Sequence, residues 1–257
     1  MMKRGLFILF LLLLAGVMFI LPQSRVQIAV ISLLVIMTLF AHEMRDCRPW
    51  NTTLEILTLY FSLNLIFQVT QIDQLFILTH FITLIVFYLY LVVIKKYKPV
   101  KSYLKKGNLK GSLPLALLFG VIAVVFLVIW FVNQSGNPHA EYMPSLPLYW
   151  LLPLGIGFAL VNGLYEEGIF RGLLFPAFTE SVGYFPAIVL QAVWFSFLHY
   201  QAGFPSGLIG IGLTFVFAMM MAVLLKRTGG LLLPILVHAL ADFIIFIMIW
   251  LRINQLL

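Results

Sequence analysis

Glu166, Glu167 and Arg171 lie on one hydrophobic stretch of the chain, His199 on the next, and His238 with Asp242 on the last. Carboxylates and imidazoles exchange protons near neutral pH, and an ionisable group at membrane depth is costly enough to suggest a function by default. Residues four apart share a helix face, so Glu167 and Arg171 can pair as ions while Glu166 points about 100° away. That division makes Glu167 and Arg171 a support pair and leaves Glu166 as the candidate general base. His238 and Asp242 are again four apart and project an imidazole and a carboxylate from one face. His199 follows Trp194, Phe195 and Phe197, and Phe195 stands one turn behind it, an aromatic wall that would exclude lipid and position the ring. A water between Glu166 and His199 would be deprotonated to attack a carbonyl, with donors from the last stretch stabilising the oxyanion. The pattern suggests peptide hydrolysis by an activated water.

Each residue alone has a simpler reading. An isolated intramembrane histidine such as His80 is ordinarily hydrogen-bonding glue between helices. Plain packing does not require two acids, two histidines and a further carboxylate on three neighbouring stretches. Two common hydrolase motifs fail. His42-Glu43-Met44-Arg45-Asp46 begins like a zinc-protease helix, but Asp46 occupies the place of the second histidine. No Gly-x-Ser-x-Gly elbow occurs.

The elements that must hold these groups are membrane helices. The chain is 63% hydrophobic and 10% charged, whereas soluble domains are about half apolar and about a quarter charged. Apolar runs near 20 residues predict spans near 5–22, 26–41, 53–70, 75–94, 113–132, 148–178, 185–200, 208–226 and 231–251. The expected fold is an all-α polytopic transmembrane helical bundle of about nine spans, with eight as the alternative, and its active site among the C-terminal helices. Residues 1–146 form N-terminal helices with few intramembrane ionisable groups, and residues 147–257 form the core that holds the cluster. At about 31 residues the sixth span would reach roughly 46 Å against a hydrocarbon core of about 30 Å, so it must tilt, protrude or break. Pro153, Gly155, Gly157 and Gly163 are its candidate distortion points, or else simple sites of close helix packing. Counted from the cytoplasmic helix ends, His238 lies about 10 Å deep, Glu166 about 18 Å and His199 about 21 Å, depths compatible with one pocket.

Lys3 and Arg4 precede a first span that lacks a small-x-small cleavage pattern, so it reads as a retained helix. With the lysine-rich segment Lys95–Lys110 in the cytoplasm and sides alternating, all of the 16 Lys and Arg except Arg25 and Arg252 fall inside. The N-terminus is then cytoplasmic and the C-terminus outside. The net charge of +7 is concentrated beside a span, which points to anionic lipid rather than nucleic acid as the partner. Cys47 is the single cysteine, so no intramolecular disulfide framework exists.

At its ionisable residues the chain resembles the CPBP family of intramembrane proteases, which includes type II CAAX prenyl endopeptidases and the bacteriocin-processing or self-immunity (Abi) proteins. Its Glu-Glu-x-x-x-Arg is Glu166-Glu167-Gly168-Ile169-Phe170-Arg171, its Phe-x-x-x-His is Phe195-Ser196-Phe197-Leu198-His199, and its His-x-x-x-Asn/Asp is His238-Ala239-Leu240-Ala241-Asp242. The segment from Lys226-Arg227-Thr228-Gly229-Gly230 to Leu233-Pro234-Ile235 also looks like the family's turn into its last motif helix. The resemblance covers roughly residues 150 to 250 and implies that Glu166 and His199 activate the water while His238 and position 242 stabilise the transition state. It further implies a membrane-associated peptide or protein substrate and residence in the plasma membrane of a bacterium. Members that cleave prenylated substrates carry Asn where this chain has Asp242. An ionised carboxylate cannot donate to an oxyanion, so Asp242 must be protonated, orient His238 or help hold a metal. The expected mechanism needs no cofactor; the alternative is a divalent metal such as zinc on His199, His238, Glu166 and Asp242. Two other functions fit the same residues: a non-proteolytic immunity or partner-binding protein, and a proton-coupled carrier.

Overall fold

The structure is a computed structural model that describes residues 2–20, 24–72, 75–98, 103–133, 147–202 and 204–254. Inside a bilayer the backbone has no water to bond, so helices are the natural outcome of such apolar runs. Nine rods follow one another among the described residues. They are α1 (Met2–Ile20), α2 (Ser24–Glu43), α3 (Asn51–Thr70), α4 (Phe76–Phe87) prolonged by a π-helical stretch (Tyr88–Ile94), α5 (Leu109–Val132), α6 (Leu148–Glu167) running through a π-helical stretch (Gly168–Leu174) into α7 (Phe175–Val182), α8 (Tyr184–Ala202), α9 (Gly207–Thr228) and α10 (Leu232–Ile253). A 3-10 segment, Arg45–Trp50, joins α2 to α3. The predicted helical membrane bundle is the fold, and each predicted span coincides with one rod. By length and composition six are able to cross a membrane: α2, α3, α4 with its extension, α5, α9 and α10. The rods of α6 and α8 are not among them, and their apolar runs are interrupted by Asn162, Glu166 and Glu167 and by Gln191, Ser196 and His199.

Alternation of direction brings the basic segments to one end of the bundle. There Phe7 of α1 stacks on Trp50 with ring centroids 4.4 Å apart. His42 at the end of α2 meets Glu55 of α3 at 3.1 Å, and Lys95 closes on the same carboxylate. Tyr97 donates to Glu180 at the end of α7 across 2.8 Å, and the Lys226 ammonium lies 4.5 Å over the Tyr184 ring. Burial and the Glu180 carboxylate push the Tyr97 phenol up, which keeps it a donor. At the opposite end Arg252 donates to the Phe131 carbonyl at 2.6 Å. Lys101, and most of the linker from Asn133 to Pro147, lie outside the described residues.

The main buried core joins the N-terminal helices to those that carry the ionisable cluster. Phe7, Leu34 and Leu57 from the N-terminal helices share one buried cluster with Phe170, Phe178 and Trp194. Against this core, α10 packs on α6 and α5, while α9 packs on α8 and α5. The helix carrying Pro153 and the three glycines stays regular through all four. A Cβ on Gly163 would come within 3.1 Å of the Ala239 amide nitrogen and the Ile235 carbonyl, and one on Gly155 within 2.6 Å of the Phe246 ring. These two glycines therefore admit the backbone and a ring of α10, whereas Gly157 faces nothing within 4 Å. The long rod loses regular α geometry further on, in the π stretch Gly168–Leu174.

Two loops lock together at the basic end. Asn108 caps α5 by accepting the Gly111 amide at 3.1 Å, and its own amide bonds the Thr228 carbonyl at 2.8 Å. A Cβ on Gly230 would sit 2.2 Å from the Lys105 carbonyl, while Gly229 has a φ of +65° but open space around it. Gly229→Ala should thus meet only left-handed backbone strain, about 1–2 kcal/mol, and Gly230→Ala should cost more because backbone must move. Unfolding midpoints in detergent should fall in that order; equal losses would mean that the loop contact is not tight.

Candidate active site

The polar cluster forms where three helices meet. Gly163 lets α10 approach α6, which brings His238 and Asp242 of α10 beside Glu166 and Glu167 of α6. Immediately after the two glutamates the chain opens into its π stretch, in which every residue from Ile169 to Leu174 is buried. Such wide turns occur often at functional sites. Here it delivers Arg171 inward, with its Nη1 3.1 Å from Glu167 Oε1 and both side chains fully buried. None of the guanidinium nitrogens makes an aligned hydrogen bond among the described residues. The charge is met by Glu167 and by the face of Phe195, whose centroid lies 4.6 Å from the guanidinium carbon.

Glu167 has a second partner that its position beside Arg171 did not reveal. Its Oε1 lies 2.7 Å from His238 Nδ1, so Arg171, Glu167 and His238 form a continuous chain of contacts. A carboxylate can only accept, so Nδ1 carries the hydrogen. The other ring nitrogen of His238, Nε2, is 3.3 Å from Glu166 Oε2 and 3.8 Å from Asp242 Oδ1. His238 and Asp242 thus share a face as their spacing implies, but Glu167 is the closer partner of the ring. Helical side chains lean towards the helix N-terminus, which carries the His238 ring away from position 242. Asp242 instead accepts a hydrogen bond from Asn162 Nδ2 at 3.0 Å, and the same amide reaches Glu166 Oε1 at 3.4 Å.

His199 completes the group from α8. Its Nδ1 lies 2.8 Å from the Phe195 carbonyl. That carbonyl must accept, so in the neutral ring Nε2 is left as the acceptor. Nε2 faces Glu166 Oε2 at 3.8 Å, too far for a direct hydrogen bond. Glu166 Oε2 is buried and receives no aligned hydrogen bond among the described residues. An orphan acceptor facing two imidazoles is a place suited to a water. Phe195 separates the components as a wall: its ring is 4.3 Å from that of His199 and 5.9 Å from that of His238.

Beside the cluster lies a cavity of about 460 Å³ between α5, α8, α9 and α10, with His199, His238 and Asp242 in its wall. Its other lining is almost wholly apolar, and Phe126, Ile209 and Val216 at its margin are also exposed on the outer surface. The cavity thus communicates with the side of the bundle. His80 lies against Tyr165 of α6, with ring centroids 3.8 Å apart. Among the described residues no three His, Cys, Asp or Glu are grouped as a metal-ion site would need.

Two participants escaped the sequence reading. Asn162 carries no charge to mark it, although it stands four residues before Glu166 and so on the same face. Phe217, 5.1 Å from the His238 ring, is one of 24 phenylalanines and has no local signature.

Residues 148–244 match the family described as type II CAAX prenyl endopeptidase Rce1-like. This match bears out the resemblance to CPBP intramembrane proteases and spans the helices that carry all the clustered residues. No curated protein and no solved structure matches the chain significantly.

The buried pair can be tested by deletion and repair. Arg171→Met strands the Glu167 carboxylate and should cost about 3–5 kcal/mol, and Arg171→Met with Glu167→Gln should recover part of that loss. A thermal unfolding series in detergent would measure both. No recovery in the double variant would show that Arg171 acts through packing alone.

Proposed function

We propose that the protein is an intramembrane endopeptidase that hydrolyses a membrane-associated peptide with a water activated between Glu166 and His199. The observation that supports this most directly is the approach of Glu166 Oε2 to His199 Nε2 and His238 Nε2, at 3.8 Å and 3.3 Å, beside an apolar cavity. Glu166 takes a proton from the water, which His199 orients through Nε2. The hydroxide attacks the peptide carbonyl carbon, and the carbonyl electron pair moves onto oxygen. His238, bearing a hydrogen on Nε2 between two carboxylates, donates to that oxyanion, while Glu167 and Arg171 hold its ring. The tetrahedral intermediate then collapses, the C–N bond breaks, and the proton taken by Glu166 passes to the departing amine. A carboxylic acid and an amine result.

Asp242 acts by position in this scheme. Its bond from Asn162 directs one oxygen away from His238, so it balances charge without competing with Glu167 for Nδ1. The apolar cavity and its lateral margin suit a substrate that arrives from within the bilayer. Asp242 in place of Asn argues for a substrate other than the prenylated proteins cleaved by Asn-bearing members. The basic end of the bundle would face the cytoplasm, in a bacterial plasma membrane.

Glu166→Gln and His199→Ala should each reduce cleavage of a membrane-reconstituted peptide library by at least about a thousandfold, while the protein accumulates normally in the membrane. This loss is of the size expected when acid-base and positioning contributions vanish together. Unimpaired turnover in either variant would reject the mechanism; a protective phenotype that survives both would favour a non-proteolytic immunity role. Cleavage should also persist after dialysis against EDTA and 1,10-phenanthroline. Loss that is reversed by added zinc would instead assign a metal to the site.

A further inference from the structure

A second cavity, of about 490 Å³, lies outside the catalytic cluster, between α4 with its π extension, the α6 rod and the start of α10. Its walls are apolar side chains such as Phe87, Val92, Leu173 and Ile235, and its charged lining residues are Lys105 and Lys106. Tyr88, Leu104 and Leu164 line it and are exposed, so the groove opens on the lipid-facing side. The two lysines belong to the loop that docks on Gly230, at the end where the basic segments gather. An apolar groove with two lysines in its lining at the membrane boundary complements one kind of molecule.

We propose that this groove binds an anionic phospholipid from the surrounding bilayer, with an acyl chain along the slot and the phosphate between Lys105 and Lys106. The floor of the slot supports this assignment. Gly168 and Gly172, one turn apart, line it and present bare backbone. Leu84 and Leu231, which also line the groove, lie 3.0 Å and 3.2 Å from where a Cβ on Gly168 and on Gly172, respectively, would stand, so a side chain at either position would crowd the groove wall. These glycines belong to the same π stretch that holds Arg171. A lipid in the groove therefore braces the outer face of the turn whose inner face supports Glu167 and His238.

The test needs no cleavage assay and does not depend on the proposed activity. Protein delipidated in detergent is titrated with dioleoylphosphatidylglycerol or dioleoylphosphatidylcholine, and bound lipid is counted by native mass spectrometry. Wild type should retain one phosphatidylglycerol with at least about tenfold preference, since each lysine near the surface contributes roughly fivefold. Lys105→Gln with Lys106→Gln should abolish the preference. Lys226→Gln with Arg227→Gln, at the same end but away from the groove, should leave it intact. Equal retention of the two lipids by wild type, or a preference lost only with the second pair, would overturn the assignment.

Discussion

A guanidinium with no exposed surface must be neutralised where it stands, because the membrane interior offers no water to move to. Arg171 meets this constraint through Glu167, and Glu167 in turn holds His238. Breaking such a pair by removing one partner leaves a buried charge alone, which is far costlier than never having had the pair. The rest of the cluster inherits that rigidity. The orientation of His238 follows from Glu167, and the space shared by Glu166, His199 and His238 follows from that orientation. The Arg171–Glu167 pair and the group of Glu166, His199 and His238 are thus parts of one electrostatic chain.

Close packing supplies the second requirement. Charged groups on separate helices meet only if the backbones come near, and Gly163 removes the one Cβ that would separate α6 from α10 at this level. The π stretch supplies the third, because it turns Arg171 inward directly after two glutamates that must point in different directions. Neither device adds much stability alone. Together they bring groups from three helices into contact, in a setting where each unpaired charge would favour a different arrangement.

Much of this could be read in the chain before any coordinates. Charged and imidazole side chains on apolar stretches stand out because the hydrophobic background is so uniform, and so the helical bundle and the clustered residues were both legible. The contacts that join them were less so. The link from Glu167 to His238 spans 71 positions and depends on a helix crossing that no local pattern encodes. Asn162 was hidden because a neutral amide raises no alarm. Helical spacing brings His238 and Asp242 to one face, 3.8 Å apart, but does not decide where the ring leans, so the closer contact with Glu167 was not legible. The π stretch leaves no trace in hydrophobic periodicity when all its residues are apolar except the arginine.

The two histidines are anchored in unlike ways. His199 is tied to a carbonyl of its own helix, so its orientation travels with α8 wherever that helix goes. His238 is tied to a carboxylate on another helix, and a small slide of α10 along α6 would release it. The site therefore has a built-in asymmetry of commitment: one ring is always aimed, the other only while two helices stay in register. A shift of α10 against α6 would therefore change the contact of His238 and leave that of His199 as it is.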